Sequence, residues 1–201
     1  MEAAPDMRPY DRLLKSAAEQ MAAASPQPDL ARAAEDAEVP LEQAQAWFAD
    51  ACALSAAVIE QQMVLLTDHL VRRASAAPQD DVVAQLRELS HAYVEWFFDN
   101  PVGGRLLVTP PAMATVSEHK VSRFSTAIYD LARAMMERAR DTGMIRADID
   151  IAEVMLTMRT LTLGIVVQDM DHTRLWGNPG DPRAALTRMM NSYFDMAMSK
   201  A

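Results

Sequence analysis

DLARAAEDAEVPLEQAQAWFADACAL, residues 29 to 54, is the stretch on which the fold turns. Leu30, Ala33, Ala34 and Ala37 recur at three- and four-residue spacing behind Asp29, an acceptable N-cap, which predicts a short helix with one small-residue face. The pattern breaks over Glu38 to Pro40, and Pro40 suits the first turn of a second helix from Leu41 to about Ala46. Trp47 and Phe48 then tie that helix to a longer one that continues through Leu54 and Val58. Short helix, tight turn, short helix is a layout that reads DNA.

The surface of this head has the wrong sign for that task. Residues 1–57 carry four cations, Arg8, Arg12, Lys15 and Arg32, against ten carboxylates, a net −6 out of −9 for the whole chain. Phosphate contacts supply most non-specific affinity for DNA, and a specific dimer commonly makes roughly 6 to 10 of them. The reading helix, with Leu41, Glu42, Gln43 and Gln45, has no Lys or Arg. Gln43 and Gln45 have the chemistry to pair with adenine edges, and equally that of ordinary surface glutamines. Arg8, Arg12 and Lys15 are spaced to share one helix face, either as phosphate clamps or as a solvated face.

Helical periodicity continues along the whole chain, and no useful strand alternation is visible. A long helix is expected from about Asp50 to Ala74, with Leu54, Val58, Leu65 and His69 on one side and Cys52 in the core as a small reduced hydrophobe. Residues 75–79 read as a linker, and Asp80 as the cap of a helix whose apolar face is Val83, Leu86, Leu89, Tyr93, Trp96 and Phe97. Asn100-Pro101 ends it, because residues before proline avoid the helical region. Residues 102–112 form a short helix or bent connector. Val121, Phe124, Ile128, Leu131 and Met135 mark the next helix, stopped by Gly143. The segment from Ile149 to about Asp169 is apolar on nearly all sides, a loop fills 169–180, and a last helix begins at Asp181-Pro182 with a stripe of Leu186, Met189, Met190, Tyr193 and Met196 or Ala197. About nine helices with short connections make an all-α protein.

At this point the chain resembles the TetR family of bacterial transcription regulators. Residues 12–21, RLLKSAAEQM, look like that family's first helix, and Leu30, Ala33, Ala34, Val39, Phe48 and Leu54 stand in register with its core positions. Residues 92–101, AYVEWFFDNP, are similar to the start of a ligand-binding domain in one subgroup, and the ending from Gly164 onward resembles a dimerisation segment. The family usually has Gly before Val39, Tyr three residues before Phe48 and Lys three after it; here these are Glu38, Gln45 and Ala51. The resemblance implies a DNA-binding-like domain over 1–54 and a ligand-binding and dimerisation domain over 55–201, in a ligand-responsive regulator, and in particular a repressor. The charge of the head leaves a second reading, a dimer of the same fold that acts by protein contact or ligand sequestration without an operator.

Chemistry is sparse. His69, His91, His119 and His172 are far apart, no paired metal-ligand spacing exists, and the group Asp169, Asp171, His172 reads as a solvated turn before it reads as a metal site. Neither a nucleophile elbow nor a phosphate loop is present, so no enzyme and no cofactor are expected. A mostly apolar ligand fits better, lined by Trp96, Phe97, Met113, Phe124, Ile128, Met155 and Met158, with Tyr93, Tyr129 or Arg159 as polar handle; a plain core is the alternative. Helices over 149–169 and 181–198 are the expected homodimer surface. The acidic balance, the polar start and the lack of an apolar run of roughly 18 residues lead to the expectation of a soluble cytoplasmic protein with no membrane contact.

Overall fold

A computed structural model describes residues 7–23, 27–108, 118–170 and 181–198; the side chains of 118–125, 165 and 168–170 are outside that description. The described residues hold nine helices and no strand: α1 Pro9–Ala23, α2 Leu30–Asp36, α3 Leu41–Trp47, α4 Ala51–Ala76, α5 Val82–Asp99, α6 Pro101–Val108, α7 Glu118–Asp141, α8 Ile151–Met170 and α9 Pro182–Met198. They fall into two compact units, Met1–Val64 with Val102–Ser122, and Leu65–Pro101 with Arg123–Ala201.

Caps set most of the boundaries in the first unit. The Asp29 carboxylate accepts from the Ala31 and Arg32 amides at 2.9 and 3.2 Å, which starts α2. That helix ends in a Schellman motif: the Val39 amide donates to the Ala34 carbonyl at 2.9 Å and the Glu38 amide to Glu35 at 3.0 Å. The motif needs a left-handed residue, and Glu38 supplies it at φ 53°. A residue with a Cβ holds that conformation at a cost of about 1–2 kcal/mol. Pro40 then caps α3 without a side-chain hydrogen bond. The Asp50 carboxylate accepts from the Ala53 amide at 2.8 Å, and α3 and α4 meet at 73°.

The core of the head is small-residue packing. Leu13, Leu14, Ala17, Ala18 and Met21 of α1 are buried, as are Ala33, Ala34, Ala37, Val39 and Ala44 of the α2–α3 region. Alanine brings the helix axes close, and α1 packs on α2 and α2 on α3.

In the second unit α5, α8 and α9 pack on one another. One core cluster joins Val82, Leu86, Met136, Ala139, Ile145, Ile151, Val154, Phe194 and Met198, and a smaller one joins Val94, Leu186 and Met190. Polar ties link the same helices. Arg183 reaches Asp99 with two bonds of 2.7 and 3.0 Å, and Asn191 accepts from Arg87 at 3.3 Å and lies 2.8 Å from His91 Nε2. Arg73 bridges α4 to Glu88 and Glu95 of α5. The left-handed residue after α7 is Gly143, φ 68°, and it closes the same kind of helix end as Glu38, with the Met144 amide donating to Ala139 at 2.8 Å.

Several details differ from the expectations. The cap of α5 is Asp81, which accepts from Ala84 at 2.9 Å, because only from there does the carboxylate reach a third-position amide. On α4 the buried line is Leu54, Val58, Met63, Leu66, Leu70 and Ala74, and Leu65 is exposed; α4 runs through the expected linker as far as Ala76. Cys52 lies on the exposed side of α4. On α7 Leu131 is exposed, with Met136 and Ala139 buried instead, and on α9 Met189 and Met196 face outward while Phe194 and Met198 are buried. Three of these shifts, Leu65 to Leu66, Met135 to Met136 and Tyr193 to Phe194, are one residue along a helix, the error to which apolar counting is most prone when both neighbours are apolar.

Candidate functional site

The head presents α3 outward. Leu41, 42% exposed, Glu42, Gln43 and Gln45 are all on the solvent side, while Ala44 is buried against the rest of the head. A short helix held by one alanine, with its outer face bare, is the placement a reading helix requires.

The three candidate clamps are in three different situations. Arg8 hydrogen-bonds Asp11 at 2.8 Å, and that bond raises its guanidinium pKa and commits much of its charge to a neighbour. Arg12 is half-buried: Nε donates to the Ala37 carbonyl at 2.9 Å, Nη1 to Met7 at 3.0 Å and Nη2 to Glu38 at 3.5 Å. Its fork ties α1 to the turn after α2. Lys15 is exposed and makes no hydrogen bond or ion pair among the described residues. Arg32, the fourth cation, lies 3.9 Å from Asp36. Charge counting could not find the role of Arg12, since its acceptors are backbone carbonyls that leave no mark in composition. Tyr10, exposed, adds a contact the sequence did not suggest, edge-on to Trp47 at 5.3 Å and stacked with Phe48 at 5.6 Å between ring centres.

Among the candidate ligand residues, three rings stand together on α5. Tyr93 meets Phe97 edge-on at 5.0 Å, and Trp96 meets Phe97 edge-on at 5.3 Å. Trp96 and Phe97 are buried; Tyr93 is half-buried. Burial pushes the Tyr93 phenol above its ordinary pKa, and the charge of Arg159 on α8 pulls it the other way. Met155 and Met158 pack against the larger core cluster, and Met158 also against the smaller one. Ile128 is half-buried and Tyr129 exposed on α7. Met113 and the side chain of Phe124 lie outside the described residues, as do Asp171, His172 and the side chain of Asp169. Among the described residues no group of three His, Cys, Asp or Glu side chains is placed to hold a metal, and no single helix is long and apolar enough to cross a membrane.

By sequence, no family model and no curated protein matches the chain. Solved structures do. A TetR family transcription regulator from Marinobacter aquaeolei VT8 superposes with a TM-score of 0.72 over 96% of this chain and 100% of its own, at 14% identity. The fatty acid degradation regulator FadR from Bacillus halodurans gives 0.69 over 92% and 97%, also at 14% identity. A protein of unknown function from Rhodococcus sp. RHA1 gives 0.72 over 99% and 100%, at 19% identity. With helix order, head and terminal helix pair all accounted for, the chain has the all-α fold of the TetR-family transcription regulators.

Proposed function

We propose that the protein is a homodimeric, ligand-responsive transcription regulator, in particular a repressor, whose head, residues 1–54, is weakened for DNA by its own charge, with ligand binding and dimerisation in residues 55–201. The observation that carries this reading is the outward face of α3, set like a reading helix yet holding Leu41, Glu42, Gln43 and Gln45 and no cation. In this scheme ligand binding in the second domain changes the spacing of two heads that must otherwise meet successive major grooves about 34 Å apart. The ligand is mostly apolar and contacts the Tyr93, Trp96, Phe97 group with Met155, Met158 and Arg159; the name of the Bacillus halodurans neighbour, a fatty acid degradation regulator, agrees with such a ligand. The protein acts in the cytoplasm and needs no cofactor.

A second reading is favoured by one further observation: Arg8, Arg12 and Arg32 are each already engaged within the head. In that reading the dimer binds no operator and acts by protein contact or by sequestering its ligand.

Fluorescence anisotropy of the protein against its own upstream DNA, repeated across salt, separates the two. A repressor gives sequence-selective binding whose logarithmic salt slope stays at or above roughly −3 per head, the limit set by three cations, and Arg12→Ala with Lys15→Ala abolishes it. No binding at about 50 mM salt, where phosphate contacts are strongest, selects the second reading.

A further inference from the structure

The last helix carries a second stripe that is exposed among the described residues. α9 buries Leu186, Met190, Phe194 and Met198, and on the opposite side leaves Arg188, Met189, Ser192, Asp195 and Met196 exposed, with Met196 67% open. These positions follow a helical repeat, so they form one strip along the helix. The strip is nearly symmetric about Ser192. Arg188 and Met189 lie four and three residues before it; Asp195 and Met196 lie three and four after it.

We infer that this strip pairs with the same strip of a second copy, antiparallel, with the two-fold axis passing at Ser192. This rests on the homodimer proposed above and adds its register. In a two-fold contact, residue i of one copy meets j of the other and j meets i. Antiparallel pairing about Ser192 brings Arg188 to the partner's Asp195 and Met189 to the partner's Met196, each twice. Parallel pairing sets Arg188 on Arg188 and Asp195 on Asp195, and like charges in contact oppose association. The Asp195 side chain is 66% exposed even though Arg87 holds it at 2.9 Å, so a partner's guanidinium can add to the pairs it already makes. Arg188 makes no hydrogen bond or ion pair among the described residues.

One strip is too narrow for a lasting dimer. A stable interface takes about 800 Å² from each partner, and a helix of 17 residues is only about 25 Å long. α8 supplies more through its own exposed line of Leu156, Thr160, Gly164 and Val167, with Leu156 66% open and nothing within 4 Å of a Cβ built on Gly164.

The test uses disulfide trapping in the full chain with its single cysteine removed, Cys52→Ser. Ser192→Cys, oxidised mildly, is expected to give a covalent dimer from one variant alone. Met189→Cys and Met196→Cys are expected to link poorly alone and well when mixed, because a disulfide needs Cα atoms about 4.4–6.8 Å apart. In the untouched thiol background, Arg188→Glu is expected to raise the dimer dissociation constant about tenfold by sedimentation equilibrium. A dimer in which Met189→Cys or Met196→Cys self-links while Ser192→Cys does not overturns the register and leaves the dimer standing. A monomer at tens of micromolar overturns both.

Discussion

In the head, alanines fill the space between helices and carboxylates cover the outside; in the second unit, Leu186, Met190, Phe194 and Trp96 fill the space and Leu156, Met189 and Met196 lie on the outside. The two parts therefore place their hydrophobic surface differently. Among its described residues the head keeps its large apolar groups off the surface apart from Met7, Tyr10 and Leu41, and its three arginines are held in local ties to Asp11, Asp36 and backbone carbonyls. The second unit leaves apolar side chains uncovered along α8 and α9, the surface on which the proposed dimer is built. Helical architecture is common to both, so the difference lies in surface chemistry, and surface chemistry is what a partner reads.

Truncating the large core gives the biggest expected effect. Leu186 is 0% exposed, and Leu186→Ala should cost about 2–5 kcal/mol by urea denaturation, the lost burial plus the cavity left behind. A loss below 1 kcal/mol would show that the second unit repacks as easily as an alanine core, and the contrast with the head would fail. Next comes Arg12→Ala, which should cost about 2 kcal/mol because three backbone carbonyls lose a charged donor. If its stability is unchanged and only DNA binding falls, Arg12 is a phosphate clamp after all.

Two helix ends sharpen the contrast on a smaller scale. Gly143 and Glu38 occupy the same left-handed place in the same motif, one with the residue that adopts it freely and one without. Glu38→Gly should therefore raise stability by about 1 kcal/mol, and Gly143→Ala should lower it by a similar amount, both read from thermal midpoints. Equal and negligible shifts would mean that the motif, rather than the residue, carries the cost.

The smallest expected effect is alkaline. Tyr93 has a folded pKa raised above its unfolded value, so it binds its proton more tightly when folded. Its contribution is fully present below about pH 10 and is lost as pH rises through the raised value. Tyr93→Phe should flatten the fall in stability above that pH; an unchanged alkaline limb would place the phenol in water.

The fold was legible wherever a signal was both local and chemical. Asp29 has one role available to an aspartate before a periodic run, Pro40 and Pro182 open helices, and Gly143 ends one. Rotational phase was harder to read. At Leu65-Leu66 and Met189-Met190 two apolar neighbours compete, and only the packing of other helices decides which turns inward. The head's acidic surface is plain in the sequence, whereas the use of Arg12 is not, because its acceptors come from the turn that α2 and Glu38 build. The Tyr93–Phe97 contact follows from four-residue spacing on one helix, whereas the edge-on contact of the adjacent Trp96 and Phe97 does not follow from helical spacing. The approach of Arg159 to Tyr93 spans 66 residues and depends on how α5 meets α8.

Cys52, exposed at the start of α4 and the sole thiol of the chain, has a practical consequence. The proposed dimer carries one exposed sulfur in each copy, so a nitroxide attached there measures the gap between heads by pulsed electron resonance without any mutation. A distribution narrowed and moved by an added apolar ligand would turn the proposed spacing mechanism into a measured displacement.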